Sequence, residues 1–111
     1  MAKKPSEAAI AQAQWEATAR TILVTTGDVQ ARYQPVNIVF AVGGSAGGLF
    51  KTASPQEAFE NARFQLQLAA VALKANGVVY CSFGYAAHTQ QGGCGGTSFT
   101  VHGYGTVVRF E

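Results

Sequence analysis

The chain has 111 residues, the length of one domain, and 48% of them are hydrophobic while only 13% are charged. Seven Phe, four Tyr and one Trp give it a core to bury, which excludes an intrinsically disordered chain. A net charge of +2, with basic residues spread along the sequence, gives no reason to expect nucleic-acid binding.

The low charge instead predicts a surface that favours self-association, since soluble proteins usually carry about 25% charged residues. No stretch approaches the ~20 apolar residues of a membrane-spanning helix, and the first residues, Met-Ala-Lys-Lys, lack the apolar run of a signal peptide. Two cysteines, Cys81 and Cys94, are too few for a disulfide framework. We therefore expect a cytoplasmic protein with reduced thiols.

Residues 1–20 form the first predicted unit, an N-terminal helical arm. They are rich in Ala, Gln and Glu, which favour helix, and Ser6 can cap a helix that carries Glu7 in its first turn. The large apolar residues Ile10 and Trp15 do not share one helical face, so a weakly formed helix and a partly disordered arm remain open.

Residues 21–111 form the second predicted unit, an α+β domain that begins with two strands. Residues 21–26 are largely β-branched and end at a Gly-Asp pair, and residues 33–42 are extended with Pro35 near their start. Residues 43–48 predict a glycine-rich loop. Its continuation to Lys51 is superficially like a phosphate-binding loop, but Leu49 and Phe50 precede the lysine, which favours a flexible connector.

One long helix is the strongest local prediction. Ser54, Pro55 and Glu57 form a capping box with proline at the first helical position, and residues 76–77, Asn-Gly, are a typical stop. One apolar stripe should cover the sheet. A second stripe has no obvious role in a small isolated domain, so we predict a subunit interface at Phe64, Leu68 and Val71.

Residues 78–89 and 98–110 predict a hairpin of two strands around a glycine-rich loop. Odd positions are mostly apolar and should face the helix, namely Val79, Cys81, Phe83, Tyr85, Phe99, Val101 and Val107. Even positions, which include His88 and His102, are small or polar. The predicted fold is therefore a mostly antiparallel β-β-α-β-β sheet covered by one long helix.

Four segments, in this order, resemble the YbjQ-like family of uncharacterised bacterial proteins, to which heavy-metal binding has been ascribed. They are residues 22–26, 40–44, 72–79 and 101–108, and the resemblance spans residues 21–110. It implies a homopentamer whose strands form a shared barrel with helices around it. The sequence departs from the family pattern at Pro35 and in the loop that carries Cys94.

The candidate metal ligands all lie in the hairpin, but their spacings of seven, six and eight residues match no zinc motif. Strand alternation places His88 and His102 on one face and Cys81 on the other. This nearly excludes a four-ligand site within one subunit, so a divalent metal is the candidate cofactor at a three-ligand site of His88, His102 and Cys94 or at a site shared around a ring of subunits. Alternatively, the histidines form hydrogen bonds to Ser, Thr or water, and Cys81 is a buried structural thiol.

No catalytic residues are predicted, because the six carboxylates do not combine with a base or nucleophile in any recognisable pattern. The leading hypothesis is a non-catalytic homo-oligomeric assembly or binding protein, with a metal or small ligand between subunits. Its partner is a further copy of itself. The alternatives are a purely structural self-assembling protein and a small enzyme that uses His88 or His102 between subunits.

Overall fold

A computed structural model of the chain describes residues 6–46, 53–89 and 97–111. Its elements follow the order helix α1 (Glu7–Arg20), strands β1 (Leu23–Val24) and β2 (Tyr33–Ala46), helix α2 (Pro55–Ala72), and strands β3 (Gly77–Thr89) and β4 (Thr97–Phe110). The strands form one sheet in the order β1-β3-β4-β2, and α2 lies mainly on β2 and β4. The fold is α+β, and no helix of the described residues is long and apolar enough to cross a membrane.

The predicted β-β-α-β-β arrangement does not match this sheet. Its first strand has only two residues, which pair in parallel with Gly77 and Val78, so the sheet is mixed. The predicted strand starts later than residue 21 because the backbone N–H of Thr21 donates to the Thr18 carbonyl and still belongs to the end of α1. The arm itself is helical, with the Ser6 hydroxyl accepting a hydrogen bond from the N–H of Ala9 at 3.1 Å.

Helix α2 begins as the sequence predicts and approaches β2 closely. The Ser54 hydroxyl accepts a hydrogen bond from the N–H of Glu57. Ala58 and Ala62 are fully buried, and a Cβ built on Gly43 would lie 2.8 Å from the Cα of Ala62. The helix therefore rests directly on the β2 backbone, a contact that only small residues permit.

The predicted helix stop at residues 76–77 is wrong, because Lys74 takes the left-handed conformation instead, with φ of 57°. The N–H of Ala75 donates to the Ala70 carbonyl at 2.9 Å, which closes a Schellman motif. The Arg109 Nε donates to the Lys74 carbonyl at 3.1 Å. A tertiary hydrogen bond thus supports a helix end that the local sequence did not indicate.

A bulge in β3 changes one predicted face. Tyr80 and Cys81 together lie opposite the single residue between Tyr104 and Thr106, and Tyr80 has φ of 53°. Val78, rather than the predicted Val79, therefore pairs with Val107 and packs in the core cluster with Leu66 and Cys81, whereas Val79, also fully buried, pairs with Thr106. Beyond the bulge the alternation is as predicted, with Gly84 paired to His102.

Candidate functional site

The sheet face opposite α2 is exposed and apolar, and we call it the outer face. Phe40 of β2 is 78% exposed and pairs with Tyr104 of β4, their ring centroids 6.2 Å apart. Ile38 and Val42, on the same side of β2, are also more than half exposed. The outer face also contains His102, Thr100, Thr106, Ser82, Gly84 and Ala86. A contiguous apolar surface of this kind is typical of an interaction site.

The alternation of residues in β3 and β4 predicted the small and polar part of this face. Its apolar part was not predicted, because the large exposed side chains come mainly from β2. The signal was the uninterrupted apolar run of residues 38–42, which indicates a strand that is apolar on both faces.

The sheet has unpaired strand segments at both of its edges. Strand β1 pairs only with the start of β3, so residues 82–89 of β3 have no neighbouring strand along the edge opposite β4. The edge of β2 that faces away from β4 also has no neighbouring strand among the described residues. Neither segment contains Lys, Arg, Asp or Glu, and Pro35 lies at one end of β2 only. Free sheet edges in monomeric proteins are usually protected by charge, proline or a covering element.

The chain is flat, with extents of 54 × 45 × 18 Å and a radius of gyration of 16.9 Å. A compact chain of this length would have a radius of gyration of about 13 Å. The accessible surface is 7605 Å², whereas a monomer of this mass exposes about 5,800 Å². The excess of roughly 1,800 Å² is about twice the ~800 Å² that a standard protein–protein interface buries on each partner.

The strand positions of the two predicted histidine ligands are far apart within one chain. The backbone of His88 pairs with Ser98, while His102 pairs with Gly84, so the two positions are separated by roughly 13 Å along the strands. Cys94 and the side chain of His88 lie outside the described residues. Within the described residues, no cluster of three or more His, Cys, Asp or Glu could hold a metal.

Cys81 is only 5% exposed and belongs to the core under α2. Its thiol contacts the Val78 carbonyl at 3.8 Å, and burial raises its pKa. The structure therefore places this thiol where the sequence predicted it, away from the outer face.

The three predicted interface residues on α2 are partly buried within their own subunit. The Arg20 guanidinium of α1 lies 4.3 Å from the centroid of the Phe64 ring, and Val71 packs against the core. Phe64 and Val71 therefore make contacts within their own chain. An interface at Phe64, Leu68 and Val71, all of intermediate exposure, stays a prediction.

A polar cluster joins the loop after β1 to β2 and to the β3 bulge. The Tyr33 hydroxyl donates to the Asp28 carboxylate at 2.7 Å, and the N–H of Val29 donates to the same oxygen at 2.8 Å. These two hydrogen bonds, that of Tyr33 foremost, lower the pKa of Asp28, and its carboxylate raises the pKa of Tyr33 to about 12 and also raises that of Tyr80. Such a carboxylate is held ionised and is a poor proton donor or general base at neutral pH.

Two adjoining open cavities, which we call the aromatic groove, lie on the other side of the sheet beside α2. Their volumes are about 300 and 240 Å³, and Phe59 lines both. The ring centroid of Phe59 lies 4.6 Å from that of Phe83, and the Tyr85 ring stacks on Phe99 at 5.9 Å. The groove arises because α2 covers β2 and β4 and leaves the adjacent face of β3 open.

The fold is similar to that of a protein of unknown function from Pediococcus pentosaceus that belongs to the DUF74 family. That crystal structure aligns with a TM-score of 0.60 and 22% sequence identity, over 81% of this chain and 98% of that chain. No protein-family model matches the sequence, and no curated protein matches it. At this identity the likeness shows a shared fold, found in a family of uncharacterised proteins.

Proposed function

We propose that this chain is a non-catalytic, self-assembling protein whose subunits join through the open edges of their sheets. The observation that carries the proposal is the combination of two uncharged free edges with an exposed apolar outer face. Pairing β2 of one subunit with residues 82–89 of the next would satisfy the free backbone groups of both strands.

Such a contact joins two different surfaces, so it repeats from one subunit to the next and closes into a ring when the rotation allows. The right-handed twist of the sheet supplies that rotation. The outer faces would then line the inside of the ring. The resemblance of residues 21–110 to the YbjQ-like family supports five subunits and a shared barrel.

The expected gain in free energy comes mainly from the apolar outer face. Phe40 is 78% exposed in the single subunit, and full burial of a Phe side chain contributes ~1.5–3 kcal/mol. Ile38, Val42 and Tyr104 add further apolar area. None of the outer-face strand residues named above is charged, so burying them carries no penalty for desolvating a charge.

A ring would also bring copies of His102 together, since this residue is exposed on the outer face of every subunit. Neutral imidazoles arranged in this way bind metal ions, and protonated ones bind anions. This arrangement supports the hypothesis of a ligand held between subunits, which requires no ligand cluster inside one chain.

Native mass spectrometry tests the assembly directly. We expect the parent protein to be oligomeric at micromolar concentration and Phe40→Glu to be largely monomeric, because the variant would bury one carboxylate per subunit. The matched control is Ile10→Glu, the same kind of change at a 45% exposed position on α1. Both variants should fold, since neither residue is buried in the subunit.

Two results would overturn the proposal. A parent protein that is monomeric at micromolar concentration shows that the free edges do not pair. A Phe40→Glu protein with the parent's mass, beside an Ile10→Glu protein that dissociates, shows that the N-terminal arm and not the outer face joins the subunits.

A further inference from the structure

We infer that the aromatic groove binds a small aromatic carboxylate. The inference concerns a site within one subunit and does not rest on assembly. The walls of the groove are aromatic: Phe59 is 41% exposed and Tyr85 is 62% exposed, although both are on the side of the sheet that carries α2. A ring that enters between them would face aromatic carbon on two sides, in the offset or edge-on geometries that such pairs prefer.

The size of the groove favours a ligand of one or two rings. Ligand sites usually have volumes of ~300–1,000 Å³, and the larger of the two cavities here has about 300 Å³. The cavities share Phe59, so a flat ligand can lie along this side chain and extend into the second cavity.

The second cavity supplies the charge. Arg63 lines it together with the hydroxyl-bearing residues Thr25 and Thr26, and no described residue that lines either cavity is acidic. Arg63 is one helical turn from Phe59, so the two side chains are neighbours on the surface of α2. A planar guanidinium binds a carboxylate through two parallel hydrogen bonds, and the threonine hydroxyls can donate further ones.

The shape and the charge together define the ligand class. An aromatic cation would be repelled by the positive charge of Arg63. A neutral hydrocarbon would leave the guanidinium without a partner in the bound state. An aromatic carboxylate satisfies both the apolar wall and the cationic end.

The experiment compares 2-naphthoate with its neutral counterpart 2-naphthamide by isothermal titration calorimetry. We expect the carboxylate to bind at least about tenfold more tightly than the amide, the usual scale of one charge-assisted hydrogen bond. Arg63→Gln should remove this preference. Arg32→Gln, which removes the same charge from an exposed loop, should keep it.

Phe59→Ala should weaken the binding of both compounds. Native mass spectrometry of the same variant tests the competing explanation, in which the groove is a contact between subunits. Equal affinities for acid and amide, or an acid preference that survives Arg63→Gln, would overturn the inference. So would the absence of 2-naphthoate binding at millimolar concentration. If Phe59→Ala then also lowers the mass of the assembly, the groove is a subunit contact and not a ligand site.

Discussion

Replacing Gly43 with Ala tests the closest contact between helix and sheet. The added Cβ would lie 2.8 Å from the Cα of Ala62 and still closer to the backbone N of Ala62 and the carbonyl of Ala58. These are backbone atoms of a buried helix, so no side chain can rotate away. To restore an ordinary separation of ~3.5 Å, α2 must retreat by roughly 1 Å.

That movement has a definite cost. A gap of ~0.5–1 Å forfeits a quarter to a half of the dispersion energy of each affected contact, and Leu66 and Ala70, both fully buried, lie on the same side of α2. Overpacking a core typically lowers the free energy of unfolding by ~1–3 kcal/mol. We expect Gly43→Ala to lower it by about 3 kcal/mol, the upper end of this range, because backbone atoms of the helix meet the backbone of the strand.

The matched control is Gly44→Ala, whose Cβ would meet only the Phe99 carbonyl at 3.7 Å, an ordinary contact. Both changes restrict the unfolded chain equally, so their difference isolates the clash. With a urea dependence of ~1.5 kcal/mol per molar, the midpoint of unfolding should fall by about 2 M for Gly43→Ala relative to Gly44→Ala. Equal midpoints at one protein concentration would refute the close approach of α2 to β2.

Four further predictions follow from the sequence and the structure. Leu68→Glu should lower the oligomeric mass at low micromolar concentration if this stripe of α2 meets a neighbour; an unchanged mass excludes that interface. In the native protein a thiol reagent should modify Cys94 quickly and Cys81 slowly, because Cys81 is buried and its pKa is raised; equal rates contradict this assignment. The pKa of Tyr33 is raised to about 12 and that of Asp28 is lowered by the same hydrogen bond, so the stabilisation that Tyr33→Phe removes should be constant between pH ~4 and pH ~10, the two unfolded values, and disappear as the pH rises to ~12, as followed by urea unfolding; a difference that persists there contradicts the bond to Asp28. Replacing both His88 and His102 with Gln should leave the oligomeric mass unchanged, and a parent protein with less than one metal or anion per ring excludes the inter-subunit histidine site.

Much of the fold was predictable because local residues decide it. Ser6 and Ser54 are capping residues, and their hydroxyls accept the expected hydrogen bonds. The alternation of apolar and polar residues predicted the buried position of Cys81 and the exposed position of His102. In each case the deciding feature is local, either a hydrogen bond between residues three apart or the two-residue alternation of a strand.

The errors occur where distant residues decide the conformation. The left-handed Lys74 is supported by Arg109, thirty-five residues away, and the two-residue β1 depends on parallel pairing with β3. The bulge at Tyr80 shifts the alternation, and its backbone N–H donates to the Gly27 carbonyl. A pattern read along the chain contains none of these tertiary hydrogen bonds.

The distribution of charge connects the composition to the proposed assembly. In the described strands only Arg109 is charged, and the other charged residues that the structure describes lie in helices, in connecting segments or at Glu111. The low charge of the sequence is therefore a property of the sheet, whose edges and outer face lack the residues that normally prevent association. The helices carry the charge that a solvent-facing surface needs. A layer of charged helices over a nearly uncharged sheet is the arrangement expected when helices face water and sheets face other subunits.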